Sequence, residues 1–511
     1  MNRSSRLRSL RALGLFVCAT AVLPASADGP LDVGAKARDL TLGLDLDDAR
    51  RLLDVAAKAA PTSIEVALER VRLAIYDGDC DAALAILARP ELQKLEVGAA
   101  LAEISGGCAR VTAATHIERD DARGIEIRYQ DDEDRALTPV LVETIVAARE
   151  ALTRDLGVTW PKTTRFVVVR DLLSLSAMTG LPYEAARTTG TVGVAKWGRV
   201  TLLSPRASLH GYAWRDTVAH ELTHMAITRA SLDRAPLWLQ EGLAKREEVR
   251  WRPPGPFDDR PSPESLVLRG MELKLDLPLD KLGPSIAMLP TADAALVAFA
   301  EVTSFVRFLA ESGPPNVLPK LLTELRTAKG ADEALVAASG RDLKTWDGTW
   351  RTWLAAKPKD SIPPGFGLGA APPNLSELRE RARLAELLLG REHPAAALAE
   401  LRKLPAAAGQ DDPVLRTLWG KAHAGLGQSK EAEAVTRDPK ELLASYGPWW
   451  ALRGTLLRGS GVLGDADAAF VEAVAQDPLD IDAACEGGVD LPRPEKRLLC
   501  DAARRRGPQG D

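Results

Sequence analysis

Two histidines four residues apart, within "DTVAHELTHMAITRA" (residues 216–230), constrain this chain more than any other feature. His220 and His224 share a face only if the segment is an α-helix, where i and i+4 stand about one turn apart. Both imidazoles then reach one point in space, and Glu221 points to the side of it. A pair so placed can hold one metal ion, and the glutamate can take a proton from a water that the ion polarises. The same five residues also suit an amphipathic helix whose histidines are hydrogen-bonded core residues. Their surroundings have to separate the two readings.

The chain has only six histidines, and two of them are these. Ten residues after His224 begins "APLWLQEGLAKREE" (235–248), which places the Glu241 carboxylate on an otherwise apolar helix. A buried glutamate needs a partner, and an ion held by His220 and His224 would be one. Gly242 and Ala244 are expected to let this second helix pack closely against the first. Two histidines and one glutamate leave a fourth position for water, which is the catalytic arrangement of zinc and not the closed structural one.

Before the motif the pattern is mixed. Residues 45–110 have helical spacing, with a helical pair about the turn "YDGDC" that sets Ala82, Ala83 and Leu87 toward Ala67 and Leu68. "THIERD" and "GIEIRYQD" alternate as a two-stranded ribbon would, and "TRFVVVRD" reads as a buried strand. "VGVAKWGRVTLLSP" reads as two strands about Lys196-Trp197-Gly198. Strands first and helices after predict an α+β domain. Helical spacing resumes from 264 to 355. Five prolines and three glycines between 357 and 374 read as a linker, and the rest of the chain is helical. "RPPGPFDDRPSP" (252–263) reads as a surface loop, and Arg504-Arg505-Arg506 as a solvated tail.

At the start, Arg3, Arg6, Arg8 and Arg11, the apolar run "ALGLFVCATAVL" and Ala25-Ser26-Ala27 read as an export signal cleaved after residue 27. An uncleaved anchor is the alternative; a lipoprotein is disfavoured, because Val17 before Cys18 is bulky. Without residues 1–27 the chain keeps 62 basic side chains (66 less 4) against 71 acidic ones, a net charge of −9. That argues against nucleic acid as a partner. No other stretch is long and apolar enough for a membrane helix. The remaining cysteines form two local pairs, Cys80 with Cys108 and Cys485 with Cys500, expected as disulfides in an exported protein.

The segment from about 113 to 355 resembles the gluzincin-type "peptidase MA-like" metallopeptidases, on "VAHELTH", "LWLQEGLA" and the upstream strand "RVTLLSP". The resemblance implies a zincin-like α+β domain that binds Zn2+ through His220, His224 and Glu241, with Glu221 as general base and a peptide or protein as substrate. It also implies that the strand before the histidine helix borders the cleft, Val200 to Ser204 offering edge hydrogen bonds to substrate. Two departures stand out. Lys245 occupies the position of the carboxylate that buttresses a zinc histidine, and Phe299 that of a tyrosine in the third helix. Tyr212, His210 and Tyr183 are candidates to replace that tyrosine.

Trp450, Gly454, Ala466, Phe470, Ala473 and Pro478 resemble the tetratricopeptide spacing, although Arg453 stands where leucine is usual. Gly420, Gly427, Ala432 and Pro439 form a weaker copy, "ELRERARLAELLLGREHPAAALAELRKLP" reads as a third hairpin, and the pair about "YDGDC" resembles a single such unit. These readings divide the chain into a signal (1–27), a helical hairpin region (28–112), the metallopeptidase-like domain (113–356), a linker (357–374), tetratricopeptide-like repeats (375–495) and a tail (496–511). The expected activity is that of a periplasmic or secreted zinc metallohydrolase acting on peptides. The alternative is an inactive scaffold that binds a protein partner through its repeats.

Overall fold

The β-branched run Thr164–Val169 lies at the middle of a five-stranded sheet, which accounts for its nearly continuous apolar character. In the computed structural model, which describes residues 33–207, 212–254, 258–362, 367–368, 375–404, 412–437, 446–477, 479–486 and 493–504, the strands are β1 (His116–Asp120), β2 (Ile125–Tyr129), β3 (Thr164–Val169), β4 (Gly193–Lys196) and β5 (Arg199–Leu203). Their order is β1-β2-β3-β5-β4. The central β2, β3 and β5 run parallel, while β1 and β4 are antiparallel partners of β2 and β5. Phe166 and Val168 enter the main core on one face, and Val167 and Val169 enter a second cluster with Cys80 and Cys108 on the other. A sheet covered by helices on both faces needs apolar residues on both.

This strand order moves the sheet edge away from its expected place. Val200–Ser204 do not form an edge: β5 is paired on both sides, and the Leu203 and Ser204 N–H groups donate to the Val192 and Val169 carbonyls. The free edge on this side is β4.

Five longer helices precede the sheet: Val33–Leu42, Leu46–Ala59, Ile64–Asp77, Cys80–Leu87 and Glu96–Thr112. The pair about "YDGDC" forms as its caps dictate. Gly78 closes the first helix at φ 84°, a conformation that favours glycine, and the Asp79 side chain accepts the Ala82 N–H at the start of the next. A disulfide joins Cys80 to Cys108, and another joins Cys485 to Cys500. Leu44, Leu46, Leu53 and Tyr76 belong to the same core cluster as Phe166, Val200 and Trp238, so these helices share one interior with the sheet.

The histidine helix spans Trp214–Ser231, the glutamate helix Leu237–Glu247, and a long helix at Ala292–Ser312 backs the latter. Gly242 was expected to bring the glutamate helix against the histidine helix. It faces the backing helix instead: a Cβ there would lie 2.5 Å from the Val302 carbonyl oxygen and 2.4 Å from a Val306 methyl. The described residues of the expected linker also pack on this domain. Leu368 is buried in its core, and the Asp360 side chain accepts the Ser262 N–H.

Three helical hairpins follow, Leu375–Gly390 with Pro394–Leu401, Pro413–Gly425 with Ser429–Thr436, and Gly447–Gly459 with Leu463–Gln476. Ala466, Phe470 and Ala473 are fully buried, and Gly454 lies directly against the Phe470 ring. Arg453 donates to the Thr436 carbonyl at 2.9 Å and stacks over Trp449 and Trp450, so it ties this hairpin to the one before. Pro439 and Pro478 lie outside the described residues, as do residues 1–32. Residues 493–504, which the sequence assigns to a tail from 496, form a helix. Its Leu499 and Ala503 join Ala136 and Leu137, next to the sheet, in one apolar cluster.

Glu301, on the backing helix, is fully buried, and its one hydrogen bond is from the Leu277 N–H at 3.2 Å. Burial pushes this carboxyl up to about 8. The folded state therefore keeps a proton that the unfolded chain loses near pH ~4.5, and stability falls as pH rises from there through about 8. Glu301→Gln should melt several degrees above wild type at pH 8 and nearly level with it at pH 5. Thermal unfolding at both pH values checks this.

Candidate functional site

The histidine helix begins after Ala213, and its spacing sets Asp216, His220 and His224 in a row on one face. The chain then reverses through Leu232 and Asp233, both left-handed at φ 55° and 59°. Pro236 leads into the glutamate helix, which returns alongside and presents Glu241 to that row.

Three atoms meet there. The Nε2 atoms of His220 and His224 are 3.2 Å apart, and Glu241 Oε2 lies 3.8 Å from the first and 3.6 Å from the second. Four donors around a tetrahedral zinc at about 2.0–2.1 Å stand roughly 3.4 Å from one another, so the spacing fits one ion. Among the described residues these three make the one group of His, Cys, Asp and Glu side chains that could hold a metal. Each of them is about 15% exposed, so the point is reachable from solvent yet largely desolvated.

Charge is balanced inside this cluster. Burial alone would lower His224, but the Glu241 carboxylate beside it prevails and holds the imidazole up at about 9. Burial likewise tends to raise Glu241, and His224 outweighs it, keeping this carboxyl below its ordinary range. Glu221 is raised by its burial, only partly countered by His220 and His224. A carboxyl pushed upward by burial next to two imidazoles holds a proton more readily than an exposed glutamate does.

Two neighbours hold these groups. Glu221 Oε2 accepts the Ala195 N–H of β4 at 2.6 Å. Glu248 Oε2 lies 3.0 Å from His220 Nδ1, and Lys245 pairs with the other oxygen of the same carboxylate. The buttressing carboxylate expected at position 245 is therefore present three residues later, with Lys245 as its partner. Glu248 follows Glu241 by seven residues, two turns along the same face, and that periodicity was the available signal. By accepting from Nδ1, Glu248 leaves Nε2 of His220 free to face the ligand point.

The candidates to replace the missing tyrosine fare differently. Phe299 is half-buried on the backing helix, and Tyr183 is exposed at the start of the helix Tyr183–Thr189. His210 lies outside the described residues. Tyr212 precedes the histidine helix, and burial, with Asp134 and Glu221 adding to it, pushes its phenol well up. Its hydroxyl donates to the Leu203 carbonyl, so its single proton is already committed. The start of the loop 252–263 is anchored and not plain surface. Arg252 grips Asp216 and Asp258, and Trp251 Nε1 donates to Asp216 at 3.0 Å, one turn before His220.

If the three converging atoms hold a metal ion, Glu248→Gln should weaken its binding about 10- to 100-fold, the usual cost of losing the carboxylate behind a ligating histidine, with little change in fold. Competition titration against a chromophoric chelator, with far-UV circular dichroism as control, measures both.

The family model described as Peptidase MA superfamily matches residues 189–356. This segment runs from just before β4 to the end of the helical region behind the site, and contains His220, Glu221, His224, Glu241 and Glu248. No curated protein and no solved structure matches the chain.

Proposed function

We propose that this protein is an exported, zinc-dependent metallohydrolase of gluzincin type that cleaves peptide bonds. The observation that carries the reading is the convergence of His220 Nε2, His224 Nε2 and Glu241 Oε2 on one partly accessible point, with Glu221 beside it. His220, His224 and Glu241 would hold the ion, and Glu248 fixes the ring of His220 behind it. A zinc ion held there supplies Lewis acidity, which polarises a carbonyl and brings the pKa of water toward neutrality.

Glu221 takes a proton from the attacking water as the water oxygen bonds to the scissile carbonyl carbon. It then delivers that proton to the amide nitrogen as the C–N bond breaks, and ends ready for another cycle. Its raised pKa suits both halves of this transfer. Substrate in extended form lies along β4. The ladder pairs Val192 with Leu203, so Gly193 and Ala195 turn their backbone groups away from β5. The absence of a side chain at Gly193 leaves the strand close to the base, and the Ala195 carbonyl is available to a substrate amide.

The hairpins after residue 375 are assigned as tetratricopeptide-like repeats that offer a surface to a protein partner. Export rests on the signal-like residues 1–27, and the two disulfides support an oxidising compartment.

Purified wild-type protein should carry about one zinc per chain and hydrolyse unstructured protein such as casein. Glu221→Gln should keep the metal while hydrolysis falls about 10²- to 10⁴-fold, the range for removal of a general base. Metal analysis paired with a quenched-fluorescence casein assay decides it. A wild type without zinc, or a fully active Glu221→Gln, would rule the reading out.

A further inference from the structure

The strand that borders the base is an edge strand, held on one side by its antiparallel pairing with β5. β4 is four residues long, lies at the sheet edge, and is continuous with β5 only through the turn Trp197-Gly198. Its Ala195 N–H is nevertheless 2.6 Å from Glu221 Oε2, and Gly193 packs so near that a Cβ there would lie 2.9 Å from Glu221 Cγ and 2.8 Å from a Thr217 methyl. Lengthening this contact by about 1 Å would break the hydrogen bond.

What fixes the turn comes from far away in sequence. Gly198, left-handed at φ 71°, sits against the helix Ile64–Asp77 and the loop before Leu46, where a Cβ would be 2.7 Å from Tyr76 Cδ1 and 3.0 Å from Leu44 Cδ2. The Tyr76 and Trp197 rings meet edge to face at 6.1 Å. Next to the turn, buried Arg199 donates to the Ile75 carbonyl, so the same helix grips the first residue of β5. Asp77, at that helix's end, pairs with Arg165 of β3 at 2.9 Å. The glycine serves both needs, because only glycine combines this φ with so close an approach.

We propose that Tyr76 is a positioning residue for the base: the N-terminal helices clamp the β4–β5 turn, and β4 in turn holds Glu221 through Ala195. This rests on the reading of Glu221 as base, but the clamp acts on backbone geometry that can be followed without substrate. The outward-facing amide of Ala195 has no partner in the sheet ladder, so its protection from exchange reports the bond to Glu221 directly.

Amide hydrogen exchange over residues 192–198, zinc content and hydrolysis are measured together on wild type, Tyr76→Ala and Tyr76→Phe. Tyr76→Ala should keep one zinc per chain, exchange at Ala195 at least about tenfold faster and lose a similar factor in kcat with KM little changed. Tyr76→Phe keeps the ring against Gly198 and should behave as wild type in all three. Wild-type exchange at Ala195 in Tyr76→Ala overturns the proposal, and so does loss of zinc in step with activity, which would mark general damage to the domain. If Tyr76→Ala does not fold, Gly198→Ala pushes the same contact apart from the other side and is held to the same criteria. Failure of the functional reading would appear separately, as a wild type that hydrolyses nothing while exchange still responds to the clamp.

Discussion

Bringing two imidazoles and a carboxylate to one point inside a protein is the constraint on which this architecture depends. Three such groups desolvated together are costly unless each finds a partner, and here each partner is another member of the set or a residue tied to it. Glu241 faces both histidines, Glu248 takes Nδ1 of His220, and Lys245 neutralises Glu248. The cluster needs two helices at fixed separation. Gly242 against the Val302 carbonyl sets how closely the backing helix can support the second of them. A bulkier side chain there would move Glu241, and with it the ligand point.

The same logic explains why so much of the chain is recruited around a small site. The sheet supplies an edge strand whose amide holds Glu221, and the N-terminal helices hold that edge by its turn. Arg229, at the far end of the histidine helix, reaches Asp45 in the loop of those helices at 3.2 Å. At the other end the last described helix returns to pack on Ala136 and Leu137 beside the sheet. The N-terminal helices and the last helical hairpin with its following helix therefore share apolar clusters with the sheet region and are not loosely tethered to it.

Much of this was legible in local sequence. Histidines four apart required a helix, the run of β-branched residues required a covered strand, and neighbouring cysteines anticipated both disulfides. Gly454 and Phe470 announced their own contact by spacing. What escaped is what tertiary order decides. Strand order places β5 inside the sheet and β4 at its edge, and no local pattern distinguishes the two. Gly242 signals a close approach but not the helix that makes it. Glu248 is less legible because Lys245 stands one turn beyond Glu241, where a carboxylate is usual, and the same face reaches Glu248 only at the second turn.

The account stands on a metal held by His220, His224 and Glu241. X-ray absorption at the zinc edge, on protein purified from zinc-sufficient medium, reads that shell directly. It should show about one zinc per chain, with two imidazole nitrogens and two oxygen donors at about 2.0–2.1 Å and no sulfur. A spectrum that shows sulfur ligands, fewer than two imidazoles, or no stoichiometric zinc would contradict it.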